Sequence, residues 1–284
     1  MQLEIGTIHT MTVRQQTKNG YVITKGSEQA MLPFSYTNKE LHTNSFVDVF
    51  LYYDKKGQLV GTMQLPQVAI GVYDWVEVMD VIPKLGVFVN IGMKEEVLVS
   101  SDDLPSYQKA WPLPGDKLYV TLATDKKNRL LAVPATKKVF QDMYHLAHDA
   151  ELNDKIVGRT IRVDREGAVI ITKDENYRGF IHHTEREKEL RLGELVTGRV
   201  IEVKEDGSLN VSLIPLKHER MDDDAARILT HLEKVGGVMP LGDKSDPSKI
   251  RKTFQMSKSA FKRALGRLMK EKKIEQHDGK TFLK

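Results

Sequence analysis

The sequence predicts a multidomain, mainly β chain: three small five-stranded barrels, then an α+β domain of three helices and a terminal hairpin. Three observations carry this. A strand pattern recurs three times in the same order along residues 1–216. After Pro215 the texture turns from alternating to helical. Positive charge gathers at the end: from Lys217 onward 17 Lys and Arg face 10 Asp and Glu, a net of +7, whereas residues 1–216 carry −3.

Each copy of the pattern starts with a β run, then a Gly-led β segment, then a third apolar run. A polar helix-like segment and two closing strands follow. The first copy, residues 1–64, contains Gly6-Thr7-Ile8, Gly20-Tyr21-Val22-Ile23, Ala30-Met31-Leu32-Pro33, Val47 to Tyr53 and Leu59-Val60-Gly61-Thr62. The second, residues 65–134, contains Val76-Glu77-Val78, Gly86 to Gly92, Glu96 to Ser101, Gly115 to Thr121 and Arg129-Leu130-Leu131. The third, residues 153–216, contains Gly158 to Ile161, Gly167 to Ile170, Gly179 to Thr184, Gly193 to Val203 and Ser208 to Leu213. Five short strands in about 65 residues, with a helical turn after the third, predict an OB-type barrel. Closure leaves no exposed edge, and a recurring Gly suits a strongly bent strand.

Residues 135–152 read as a linking helix, with Val139, Met143, Leu146 and Ala147 at roughly helical spacing. His145 and His148 lie one turn apart there, with Asp142, Asp149 and Glu151 nearby. A metal site and a solvated linker surface both explain them, and no metal is expected.

Residues 217–284 read as a winged helix-turn-helix. Asp222-Asp223-Asp224 places acids in a first turn, where they complement the helix dipole. Ala226, Ile228, Leu229, Leu232 and Val235 form the apolar stripe, and Gly236-Gly237 ends it. Asp246-Pro247-Ser248 starts a second helix carrying Ile250 and Phe254. Ser257 caps a third, whose Phe261, Leu265 and Leu268 face inward. Asp278-Gly279 turns a closing hairpin. Between Lys244 and Lys273, 11 basic residues face two acids. Lys258, Lys262, Arg263, Arg267 and Lys270 fall away from the apolar stripe, as on a helix that lies along phosphates. A protein-binding face and a solubilising surface are the other readings.

The third copy resembles the S-one RNA-binding domain. The resemblance rests on Gly179-Phe180-Ile181-His182 with Thr184, on Gly193 to Val200, and on Leu209-Asn210-Val211-Ser212-Leu213. The second copy keeps the aromatic of the first signature strand as Phe88, with Val99 where the histidine would stand and Ser101 keeping the serine. The first has Val22 and Pro33 at the two positions, and the third has Val169 in place of the aromatic. The resemblance implies bases stacked on aromatic and imidazole planes, with basic side chains along the phosphates. Phe88, Tyr177, Arg178, Phe180 and His182 are the candidates. Alternation puts Phe180 and His182 on one face and Ile181 and His183 on the other, although Phe180 also suits a core.

Over almost its whole length, by domain order, the chain is similar to the conserved virulence factor B family of Gram-positive bacteria. That resemblance implies RNA binding and a role in post-transcriptional or virulence-associated regulation, and single-stranded RNA is the expected partner. A DNA-binding transcription regulator led by the winged helix is the first alternative, and a ribosome-associated scaffold the second.

Other classes find little support. With no cysteine there is no disulfide, thiolate metal site or cysteine nucleophile. No apolar stretch reaches the roughly 20 residues of a membrane span, and Met1 to Gly6 lack the pattern of a secretory signal. A cytoplasmic protein without a membrane partner is expected. Gly279-Lys280-Thr281 ends like a phosphate-binding loop, but Ile274 stands where its first glycine belongs. No catalytic constellation, cofactor or small-molecule substrate is expected.

Overall fold

The structure, a computed structural model, describes residues 3–284, with side chains described outside 217–223. It divides into two compact units, Met1–Leu213 and Ile214–Lys284.

The first unit holds three closed barrels of one topology. In the first, β1 (Ile8–Gln16), β2 (Gly20–Lys25), β3 (Glu28–Pro33), β4 (Phe46–Tyr53) and β5 (Leu59–Thr62) close in the order β1-β2-β3-β5-β4. The second repeats it with β6 (Asp74–Ile82), β7 (Gly86–Asn90), β8 (Val97–Ser100), β9 (Lys117–Thr124) and β10 (Leu130–Pro134). The third uses β11 (Lys155–Val163), β12 (Gly167–Thr172), β13 (Arg178–His182), β14 (Leu195–Val203) and β15 (Leu209–Ser212). In each, the third strand pairs in parallel with the fifth and all other pairs are antiparallel.

Two devices recur at matching positions and bend the sheets shut. The first strand of each barrel carries a register shift, between Val13 and Gln15, Val78 and Asp80, and Thr160 and Arg162. Such a bulge raises the local twist. The second strand opens on Gly20, Gly86 or Gly167. A Cβ there would stand 2.3, 2.0 or 2.2 Å from the carbonyl oxygen of Leu32, Val99 or Ile181. Only glycine lets the backbones approach so closely. The helical turn expected after each third strand is a 3-10 turn that starts just after Pro33, Ser100 or His182, and the second barrel adds another such turn at Gln108–Ala110.

Inward-facing residues fill the barrels. Val13, Ile23 and Leu32 lie in the first core, Val78, Val89 and Val99 in the second, and Ile170, Ile181 and Val211 in the third. Phe50, Tyr52 and Val60 join the second barrel's cluster from the first. The second and third barrels are tied by Arg191, which donates to both carboxylate oxygens of Asp116 at 2.9 and 3.2 Å. Glu194 lies 3.4 Å from the same guanidinium. Arg159 also donates to the Gly193 carbonyl and lies over the Trp75 ring.

The connector differs from the continuous helix expected over 135–152. Its helix, α1, spans only Lys137–Gln141. Beyond it, backbone amides of the connector turn to the third barrel: His145 donates to Asn176 O and Ala147 to Gly207 O. Ala147 is fully buried in that barrel's core. Pairing with the barrel therefore replaces the helical ladder, and His145 and His148 do not sit on successive turns of a helix.

The second unit contains α2 (Lys217–Lys234), β16 (Val238–Met239), α3 (Pro247–Phe254), α4 (Lys258–Lys270), β17 (Ile274–His277) and β18 (Lys280–Leu283). The sheet order is β16-β18-β17, the three-helix-plus-wing arrangement expected. Asp246 caps α3 and Ser257 caps α4 by accepting from Ser248 N and Ala260 N. Ile228, Leu232, Ile250, Phe261, Leu265 and Leu268 form the core. Asp278 and Gly279 both take positive φ in the hairpin turn, as a two-residue turn of this hand requires. The helix α2 starts at Lys217, ahead of the acids expected in its first turn. Among those acids, the side chains of Asp222 and Asp223 lie outside the described residues. The short strand β16 was not expected.

Candidate nucleic-acid interface

Cross-strand pairing lines up one outer row on each barrel. In the third barrel the row runs Arg162, Val169, Phe180, Asn210, Glu202 across five strands. In the second it begins Asp80, Phe88, Leu98, Leu131. In the first it begins Gln15, Val22, Met31, Val60. The rows are equivalent, so their chemistry is directly comparable. Only the third starts on a cation. Phe88 lies half-buried among leucines beside a carboxylate, whereas Phe180 lies half-buried between an apolar strand and an amide.

On β13 the alternation expected for Phe180 and His182 holds. Ile181 is fully buried in the barrel core, while Arg178, Phe180 and His182 point outward. Phe180 is absent from the core cluster, so the core reading for it falls away. The Phe180 and His182 rings are 6.4 Å apart, edge to face. His182 is exposed, and its Nδ1 is 2.8 Å from the Thr184 hydroxyl, which fixes the ring's orientation. His183 does not face the opposite side as expected. It begins the 3-10 turn, is exposed, and lies 4.2 Å from the His182 ring. A turn ends the strand's alternation there, so both imidazoles reach solvent together.

The pairing also corrects one assignment in the second copy. Gly86 pairs with Ser100 as Gly167 pairs with His182 and Gly20 with Pro33. Ser100, not Val99, therefore occupies the histidine position. Val99 is wholly buried. Tyr177 packs against the third barrel's core and its amide donates to the Thr172 hydroxyl, so its ring is largely committed. Arg178 is half-buried beside it.

In the second unit, Lys262, Arg263 and Lys270 are exposed on α4, and Lys258 and Arg267 are half-buried. Arg267 pairs with Glu271 at 2.8 Å, which also holds Lys273 at 2.9 Å. These two cations hold the Glu271 carboxyl below its ordinary range. Arg162 escapes a reading of the sequence, because the bulge before it shifts the strand's alternation by one residue. Asn210 escapes it too, because its place in the row depends on a parallel pairing with a strand distant along the chain.

Comparison with known proteins agrees with this architecture. Family models match residues 5–64 (S1 domain), 73–133 (CvfB first S1-like domain), 140–215 (virulence regulatory factor CvfB, second domain) and 226–283 (CvfB-like winged helix domain). The chain is 42% identical to the Bacillus subtilis protein YitL, over 97% of its own length and 92% of the relative's. It is 39% identical to conserved virulence factor B of Staphylococcus saprophyticus, over 86% and 81% of the two lengths. A solved structure from Streptococcus pneumoniae, described as a multidomain protein with nucleic acid binding domains, superposes with a TM-score of 0.67 at 35% identity. The match covers 99% of this chain and 98% of that one.

Proposed function

Because the chain belongs to the conserved virulence factor B family, we propose that it binds single-stranded RNA and acts in the cytoplasm as a post-transcriptional, virulence-associated regulator. Its S1-like and winged-helix domains indicate nucleic-acid partners. The observation that carries the RNA reading is the outward pair Phe180 and His182 on the third barrel, on a face that also presents Arg162 and Arg178. Rings stack on bases with little regard to sequence, and guanidinium groups follow the backbone. Phe88 offers a weaker platform on the second barrel. Lys258, Lys262, Arg263, Arg267 and Lys270 add sequence-independent attraction for phosphates. Binding rather than catalysis is the activity.

The basic helix α4 favours a second reading, a DNA-binding transcription regulator. Affinities for single-stranded RNA, matched single-stranded DNA and duplex DNA across a salt series separate the two. Tightest binding to single-stranded RNA with a steep salt slope is expected. Equal or tighter binding to duplex DNA would overturn the RNA reading. Binding to none of the three would leave a ribosome-associated scaffold.

A further inference from the structure

The strand β12 is buried at all six residues, including those that face away from the barrel interior. Its counterparts β2 and β7 leave Val22 and Phe88 half-exposed at the position of Val169. Val169 is 4% exposed yet lies outside the barrel's core cluster. Residues of the connector face it across a cleft of about 440 Å³, lined by Lys137, Phe140, Tyr144, Arg162, Val169 and Arg178. Its size falls within the roughly 300–1,000 Å³ of small-ligand sites.

The walls are fixed from both sides. Phe140 joins an aromatic group of the second barrel, 5.7 Å from Tyr119 and 6.3 Å from Trp75. Tyr144 is set by the backbone bonds of His145 and Ala147 to the third barrel. Burial pushes the Tyr144 phenol up, and the nearby Arg178 and Arg162 guanidinium groups oppose that shift. The phenol therefore stays neutral at physiological pH and keeps its proton for donation. Asp206 also lines the cleft, with its carboxylate held by the Ser208 hydroxyl and amide at 2.6 and 3.0 Å. Lys137, Arg162 and Arg178 outnumber it, so the cleft favours an anion.

We propose that this cleft takes one nucleotide of a bound RNA strand, with the base against the Tyr144 ring and the flanking phosphates on Arg162 and Arg178. The third barrel has Val169 where the second has Phe88, and the connector supplies a ring at the same place. The inference rests on the single-stranded RNA reading given above.

The test uses the full chain and a fluorescently labelled ten-nucleotide oligouridine, with Kd measured by anisotropy across a salt series. Tyr144→Ala should weaken binding about tenfold, the loss expected for one stacked base. Tyr144→Phe, which keeps the ring, should bind within about twofold of the parent. Arg162→Gln should flatten the salt slope by about 0.7, one phosphate on a single strand. Arg162 is half-exposed, and its ion pair is with Asp164, at 3.3 Å on the surface. That variant therefore carries the test if thermal melts show that Tyr144→Ala misfolds. If the parent chain binds RNA and Tyr144→Ala and Arg162→Gln match it, the cleft is not a nucleotide site while the RNA reading stands. Tighter binding by Tyr144→Ala would make the connector a cover and overturn the proposal. A parent chain that binds no RNA removes both.

Discussion

At Gly167 a single hydrogen decides whether two strands can pair. A methyl group would stand 2.2 Å from the Ile181 carbonyl oxygen and 2.9 Å from the Phe180 ring. The first clash is with backbone, so it cannot be relieved by rotating a side chain. Gly167→Ala should destabilise the third barrel by about 1–3 kcal/mol, read by urea denaturation, and should displace the ring proposed to stack. An unchanged midpoint would show that the strand can shift. Replacing Phe180 and His182 together with Ala should weaken RNA binding at least tenfold with the salt slope kept, since stacking rings neutralise no phosphate. The shared outward face of Arg178, Phe180 and His182 is legible in the sequence, because strand alternation alone determines it. The error at Val99 has a physical source. Ser100 and Ser101 both satisfy a serine signature, and only cross-strand pairing counts the residues between Gly86 and its partner.

At the scale of elements, the helices of the second unit are legible because their caps and stripes are local, although Ala226 and Val235, expected in the stripe of α2, are exposed and Ala225 is buried instead. Ser257→Ala should cost about 1 kcal/mol, seen as faster amide hydrogen exchange in the first turn of α4, and unchanged exchange would deny the cap its role. Acid should act here too. Asp246 is held below the ordinary carboxylate range by the Ser248 hydroxyl and amide, Glu271 by Arg267 and Lys273, and Glu275 by Lys284. Depressed folded-state values contribute stability that is present above the unfolded carboxylate pKa and is lost as pH falls through the folded one. Melting temperature of the second unit should therefore hold near neutrality and fall below about pH 4. The connector defeats its helical pattern because such spacing is a weak prior. The amides of His145 and Ala147 find better partners on the third barrel. The strand β16 has two residues, too few for any period to register.

Across the whole molecule, charge is divided along the chain, with a net of +7 from Lys217 onward and −3 over residues 1–216. A long-range field of this kind sums over many side chains, so no single cation carries it. Changing Lys258, Lys262, Arg263 and Lys270 to Gln in the full chain should lower the salt slope by about 0.7 for each phosphate no longer neutralised. An unchanged slope would place the electrostatic attraction elsewhere. What no sequence pattern reveals is how successive barrels are fastened. Arg191 and Asp116 are 75 positions apart, and neither is distinguished from any other surface charge until the barrels exist.

The closure of each barrel has a consequence for how the chain is made. The first strand of every barrel pairs with the fourth of the same barrel, and the fifth returns to the third. No ladder waits for a segment of a later barrel. As the ribosome releases the polypeptide, Thr62 completes the first barrel long before Lys155 begins the third. Domains generally fold as units, amino-terminal first, during synthesis. Each finished barrel leaves no open edge on which a nascent neighbour can misregister. Three near-copies can thus be translated in tandem with little opportunity to exchange strands.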